Sequence, residues 1–349
     1  MTMTLGKICW AALATLATAM VSSSALAEEP PLIDVHMHFE MAPSRDPVGS
    51  ARSAIQHMAQ YGIKRSLLMP PPYPESAQRN FYDIEDMLFV SQDYPGKFAL
   101  LGGSRLNVML HAYAPEQVDD AVRAQFRKLA EQTIAYGAVG IGEIAIHHVS
   151  IPAMGSQHAY ERVSPLHPLL QTLAEVAAEK DIPIDIHFDI VPEEIALPDS
   201  LKANPKNPPV LPENLQEFKQ FLAKNPKTKI IWSHVGFEPL LTRHPGRVEA
   251  FLKEFPNLYM SFRLNRNAPS PAATMAPNGQ VKARWTALIE AFSERFMLGS
   301  DAFYDRHGIA RGSGTECFEN FRTLISTLSE PAKSNVAFRN AEKLFRLND

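Results

Sequence analysis

Eight apolar runs of strand length recur along this chain, and between them lie segments whose apolar residues return at three- and four-residue spacings. The runs are LIDVHMH (32–38), IKRSLLMP (63–70), FALLGGSR (98–105), AVGIGEIAI (138–146), IPIDIHFD (182–189), KIIWSHVG (229–236), LYMSFRLN (258–265) and FMLGSDAF (296–303). SARSAIQHMAQYG, EQVDDAVRAQFRKLAEQTIAYG and HPLLQTLAEVAAEKD carry the helical period. Eight such alternations over roughly 250 to 320 residues fit an α/β fold of one kind, the (β/α)8 TIM barrel. An open doubly wound sheet is the alternative. That fold needs a Gly-rich phosphate turn after its first strand, and none follows LIDVHMH.

The connections carry an independent signal. Those leading from helix into strand are short and marked by Gly or Pro, as in YPGK, KDIP, NPKT and FPN. Several of those leaving a strand are long: PPPYPESAQRN, HHVSIPAMGSQHAYERVSPLH, IVPEEIALPDSLKANPKNPPVLPEN and NAPSPAATMAPNGQ. In a barrel all of these lie at the carboxyl ends of the strands, the face on which barrel enzymes build their sites.

Polar residues interrupt the apolar runs at those same ends. LIDVHMHFE places His36 and His38 two residues apart, so in a regular strand both project from one face, with Asp34 behind them. The fourth run ends near Glu143, the fifth carries His187, the sixth His234 and the eighth Asp301. In a barrel these six side chains converge on one mouth. Imidazole nitrogen and carboxylate oxygen suit zinc, iron or manganese, and the lack of thiolates argues against a structural zinc site.

The chain has 349 residues, 45% of them hydrophobic, and a formal net charge of −4. It has no basic excess and no Lys/Arg run, so neither nucleic acid nor an anionic membrane surface is an expected partner. A small-molecule substrate is, and composition leaves homo-oligomerisation open. Residues 1–27 read as a signal peptide: Lys7, an apolar run from Ile8 to Val21, then Ala25-Leu26-Ala27 before Glu28. The run is shorter than the ~20 apolar residues that span a bilayer, so cleavage is expected rather than stable membrane insertion. The expected domain is then 28–349, exported to the periplasm of a Gram-negative cell or otherwise secreted. Cys9 falls in the removed segment, which leaves Cys317 without an internal disulfide partner and reads it as a small buried hydrophobe.

HxH on the first strand, single histidines on the fifth and sixth and an aspartate on the eighth resemble the amidohydrolase superfamily. More narrowly the chain resembles its amidohydrolase-related branch of metal-dependent hydrolases and decarboxylases. NAEKLFRL (340–347) is similar to the helix that closes many of those proteins. The resemblance implies a divalent transition metal, zinc first with manganese or iron as alternatives, as one ion or two. It implies His36, His38 and His187 as ligands and Asp301 as both ligand and proton acceptor. It makes His234 a ligand of a second ion or a polariser of the substrate oxygen, and Glu143 a bridge between two ions if two are bound. The expected reaction is hydrolysis of an amide, lactone or ester by metal-activated water. Decarboxylation on the same scaffold is the alternative, and a non-catalytic metal or solute binder a third reading.

Arg105 and Arg263, at the ends of the third and seventh runs, are expected to bind an anionic substrate group or else to form structural ion pairs. His147 and His148 open the fourth loop, and His147 is taken as a substrate contact. His57, His111, His158, His167, His244 and His307 have no strand-end placement and are left out of the site.

Overall fold

Eight parallel strands close on themselves: β1 (Leu32–Phe39), β2 (Ile63–Leu68), β3 (Phe98–Gly102), β4 (Gly140–His148), β5 (Ile184–Phe188), β6 (Ile230–Val235), β7 (Leu258–Phe262) and β8 (Phe296–Leu298). Each pairs with the next in chain order, and β8 returns to β1 through Asp34 and Leu298, so the sheet has no free edge within the barrel. This is the (β/α)8 barrel expected from the alternation. The computed structural model describes residues 29–154, 158–237, 239–265, 271–312 and 314–347, and the expected signal peptide lies outside them.

Local sequence sets the helix ends. In Pro47–Tyr61, Pro47 opens the first turn, the Asp46 side chain accepts from Gly49 N at 2.9 Å, and Gly62 closes the helix in the left-handed region at φ 66°. That helix buries Ala51, Ala54 and Met58 in the layer that also takes Met37 and Phe39 of β1. Burial of one such Met side chain is worth roughly 1.5–3 kcal/mol. His167 and His244 cap helix N-termini ahead of Pro168 and Pro245, which accounts for two of the histidines left out of the site.

A second apolar cluster fills the barrel's lower interior. Ile33, Val35, Leu67, Leu101, Ile231 and Met297 meet Ala341, Leu344 and Phe345 of the closing helix Asn340–Phe345. The closing helix therefore plugs the barrel floor, and the site lies above it.

The strands that carry the site residues are not regular. On β1, Asp34 is level with Ser66 but Met37 with Leu68, so β1 spends one extra residue against β2. Below this shift the odd residues Ile33 and Val35 face the interior cluster; above it Met37 and Phe39 pack outward and His36 and His38 turn in. β4 shifts twice against β5, between Ile141 and Ile144 and again between Ala145 and His147. β6 shifts against β7 just before Val235, which carries His234 to φ 62°. Such bulges re-aim side chains at the mouths of barrels.

FMLGSDAF is two strands rather than one. β8 ends at Leu298, and after a break over Gly299 to Asp301 the strand Ala302–Asp305 runs beside β1 and folds back on Gly308–Gly312. The break is compact because residue 299 is Gly: a Cβ there would lie 2.9 Å from the Cβ of His36. Asp301 sits in the break at φ 52°, so two of the site residues, His234 and Asp301, hold a left-handed backbone that only a determined surrounding maintains.

Candidate metal centre

Four imidazoles gather around one carboxylate. Glu143 Oε2 lies 3.4 Å from His36 Nε2 and 3.6 Å from His38 Nε2, while its Oε1 lies 2.8 Å from His187 Nδ1 and 2.9 Å from His234 Nε2. Each oxygen thus faces its own pair of histidines, which is the placement a bridging carboxylate needs. Asp301 Oδ1 is 3.5 Å from His38 Nε2, and His36, His234 and Asp301 form a further set able to share an ion. Gly142 makes room for Glu143's strand beside β5, since a Cβ there would fall 2.6 Å from the Cβ of Asp185.

The outer nitrogens fix which way the lone pairs point. His38 Nδ1 donates to the Met69 carbonyl at 2.9 Å, and His36 Nδ1 lies 3.3 Å from Asp185 Oδ2. Each Nε2 is then left with a lone pair, yet the two Nε2 atoms are 3.1 Å apart and both face a carboxylate. Lone pairs and carboxylate oxygen at that spacing repel unless a cation or a proton sits among them. A divalent ion fits this donor set, and the carbonyl and carboxylate behind the rings are the partners that orient ligating histidines. Ser233 Oγ in turn holds Asp185 at 2.5 Å, and the ring of Phe303 stacks on His38 with centroids 4.2 Å apart.

The electrostatics follow from burial set against close charges. Burial works against charge on His36, but Asp185 and Glu143 outweigh it and raise its pKa well above the usual value. The same contest, won by Asp189 and Glu143, lifts His187 to about 10. His234 goes the other way, down to about 4, because burial dominates there. Burial also opposes ionisation of Asp301, yet the Arg263 guanidinium at 2.5 Å and the nearby histidines hold its carboxyl far below the ordinary range.

The centre forms the floor of a cavity of about 510 Å³. Glu143, His187, His234, Asp301 and Arg263 line it. Arg263 bridges Asp301 and the face of the Phe237 ring, 4.1 Å from its centroid. Arg105 is not among the lining residues. Its guanidinium pairs with Glu85 and its backbone N–H donates to Asp83 at 2.8 Å, because residues 104–112 form a helix and the strand stops at Gly102. His147 is displaced as well. The second register shift of β4 sets it level with Phe188, and its Nδ1 bonds the Asp189 carbonyl in the layer outside the cavity, while His148 takes the place facing the cavity. Asp34 is turned from the two histidines it was expected to back. Its carboxylate accepts from Ser300 N at 2.8 Å and Ser300 Oγ at 2.6 Å, and burial pushes its pKa up to about 6.

Several contributors were outside the sequence reading. Asp185 and Asp189 flank His187 at two-residue steps in DIHFD, and both stand behind rings of the candidate centre, Asp189 at 3.5 Å from His187 Nε2. That alternation is a signal the sequence does contain. His158, left out for want of a strand-end position, lines the cavity with Tyr73, Asn80 and Arg311. Cys317 is buried in the helix Glu316–Ser326, as a small apolar residue would be.

Residues 33–347 match the family model described as Amidohydrolase. Among solved structures, a probable 2-pyrone-4,6-dicarboxylic acid hydrolase from Acinetobacter baumannii with citric acid bound is similar over 90% of this chain and 99% of its own, at 14% identity and a TM-score of 0.53. A protein from Agrobacterium tumefaciens solved without ligand is similar over 91% of this chain and 94% of its own, at 13% identity and the same TM-score of 0.53. At these identities the likeness is one of fold. No curated protein matches the chain.

Proposed function

The chain belongs to the amidohydrolase family of enzymes, and from that premise we propose that it is an exported hydrolase that cleaves a small-molecule amide, lactone or ester with metal-activated water. The observation that carries this reading is the position of Asp301: a buried, ionised carboxylate 3.5 Å from a histidine of the candidate centre, on the wall of a cavity of about 510 Å³. Cavities of that size, roughly 300 to 1,000 Å³, suit small molecules.

His36, His38 and Asp301 would hold one ion and His187 with His234 a second, Glu143 joining the two. Bound there, a divalent ion would supply a water whose pKa is lowered from about 15.7 to about 7, together with polarisation of the carbonyl under attack. Asp301 accepts the proton of the attacking water at Oδ1 and returns it to the leaving group. Arg263 keeps Asp301 ionised and fixes its rotamer through Oδ2. If one ion suffices, His234 Nε2 instead donates to the substrate oxygen.

The metal-reconstituted protein is expected to turn over members of a panel of lactones, esters and amides. Release of carbon dioxide from aromatic or unsaturated acids with no hydrolysis of that panel would assign the scaffold to decarboxylation instead. Export rests on the segment 1–27, and the exported protein is expected to begin at Glu28 on N-terminal sequencing; an intact Met1 there would refute cleavage.

A further inference from the structure

His148, the last residue of β4, and His158, in the loop that follows, stand side by side on the cavity wall, and the backbone fixes the tautomer of each. His148 Nδ1 faces the Ala159 carbonyl at 2.9 Å. A carbonyl only accepts, so Nδ1 carries the hydrogen and Nε2 of the neutral ring keeps a lone pair. His158 is arranged the opposite way: its Nδ1 accepts the Ile151 N–H at 2.9 Å, so its hydrogen is on Nε2. Ser150 Oγ donates to the His158 carbonyl at 2.6 Å and Asn204 Nδ2 to Ser150 Oγ at 2.5 Å, which locks this stretch of loop in place.

The two ring centroids are 4.4 Å apart, both residues line the cavity, and neither Nε2 has a hydrogen-bond partner among the described residues. One ring therefore offers an acceptor and its neighbour a donor. From this juxtaposition we infer that His148 and His158 form a specificity pair for a neutral substrate group that donates and accepts at once, a hydroxyl or an amide, beside the candidate centre, since the His148 ring also lies 4.5 Å from that of His187. The inference deepens the hydrolase reading and rests on it for the identity of the site.

The pairing has a selective consequence. An ether or ester oxygen can accept from His158 but leaves the His148 lone pair desolvated without a donor. A site built to bond an O–H or N–H discriminates strongly against the analogue that lacks it.

Phenol and anisole differ in that one hydrogen and are the probes of choice. In the metal-loaded protein, calorimetric titration should show phenol binding at least tenfold tighter than anisole. His148→Phe should reduce the preference to under twofold by weakening phenol alone, with metal content unchanged. His148→Gln, which can place an amide oxygen where Nε2 was, should retain it, and His158→Phe should weaken both probes. Equal affinities in the wild type overturn the inference, and so does a preference that survives His148→Phe, which would place phenol on the metal instead. Should the phenylalanine variants not fold, His148→Ala and His158→Ala take their place with the same expected outcomes. Because binding is read without turnover, a finding of decarboxylation would overturn the hydrolase reading and leave this result intact.

Discussion

Replacing His36 and His38 together by alanine is expected to strip the metal from the purified protein and to take turnover to background. Both rings enter the centre through Nε2, both have their outer nitrogen committed to Met69 or Asp185, and the sets able to share an ion with either of them add only Glu143, His234 and Asp301 among the described residues. Elemental analysis decides the matter: stoichiometric metal in the double variant at unchanged affinity would remove the assignment. Glu143→Gln tests the bridge, because one amide oxygen cannot serve two ions as a carboxylate does across about 3.5 to 4 Å. That variant should fall from two ions to one, kept by the histidines of β1, and anomalous scattering at the metal edge would count them. A single peak in the wild type without Glu143 bound to it would exclude the bridge.

The metal-free protein should show the linked pH dependence. His187 is raised to about 10 and His36 well above its ordinary value, so in the apoprotein their protons take the place of a cation beside Glu143. A raised folded-state pKa gives stability that is complete below the unfolded value of about 6.5 and is lost as the pH rises through the folded value. Apoprotein stability should therefore decline from near pH 7 towards pH 10, whereas metal affinity should grow over the same range as those protons leave more readily. Thermal melts of the two forms against pH measure this, and parallel curves would contradict it.

Asp301→Asn should leave the metal bound and slow turnover by at least about a hundredfold, the usual worth of a positioned general base. The amide has a comparable volume but one oxygen; with that oxygen towards the centre it gives up the ion pair with Arg263, while His36, His38 and Glu143 still hold the ion. It also loses the capacity to take a proton. The loss should fall on kcat with little change in KM, since the group acts on the water in the transition state rather than on bound substrate. Full activity with intact metal would show that the proton leaves by another route. Arg263→Lys offers a comparison: it keeps the positive charge but not the planar contact with Phe237.

The barrel was legible in the sequence because its causes are periodic. Alternating strand and helix patterns, short Gly/Pro returns and long outgoing loops gave eight strands near their observed places, and NAEKLFRL lies where the floor needs a plug. The side chains His36, His38, Glu143, His187, His234 and Asp301 were legible too, because polar residues at the ends of apolar runs stand out and a closed barrel brings strand ends together. Their direction was not. A period-two reading carries no information about an inserted residue, and the shifts in β1, β4 and β6 decide which side of the sheet each ring faces. The same shift that carries His148 into the cavity turns His147 out of it, and the helix that starts at Ser104 hands Arg105 to Glu85. His158 reaches the cavity only because its loop folds back on β4, with Glu161 and Arg162 paired to His148 and His147. Sequence alone thus determined the architecture and the six side chains that meet at the centre, since both follow from local patterns repeated along the chain. The tertiary structure decided orientation, tautomer and partner, since these depend on register between strands and on carbonyls and carboxylates that come from elsewhere in the chain.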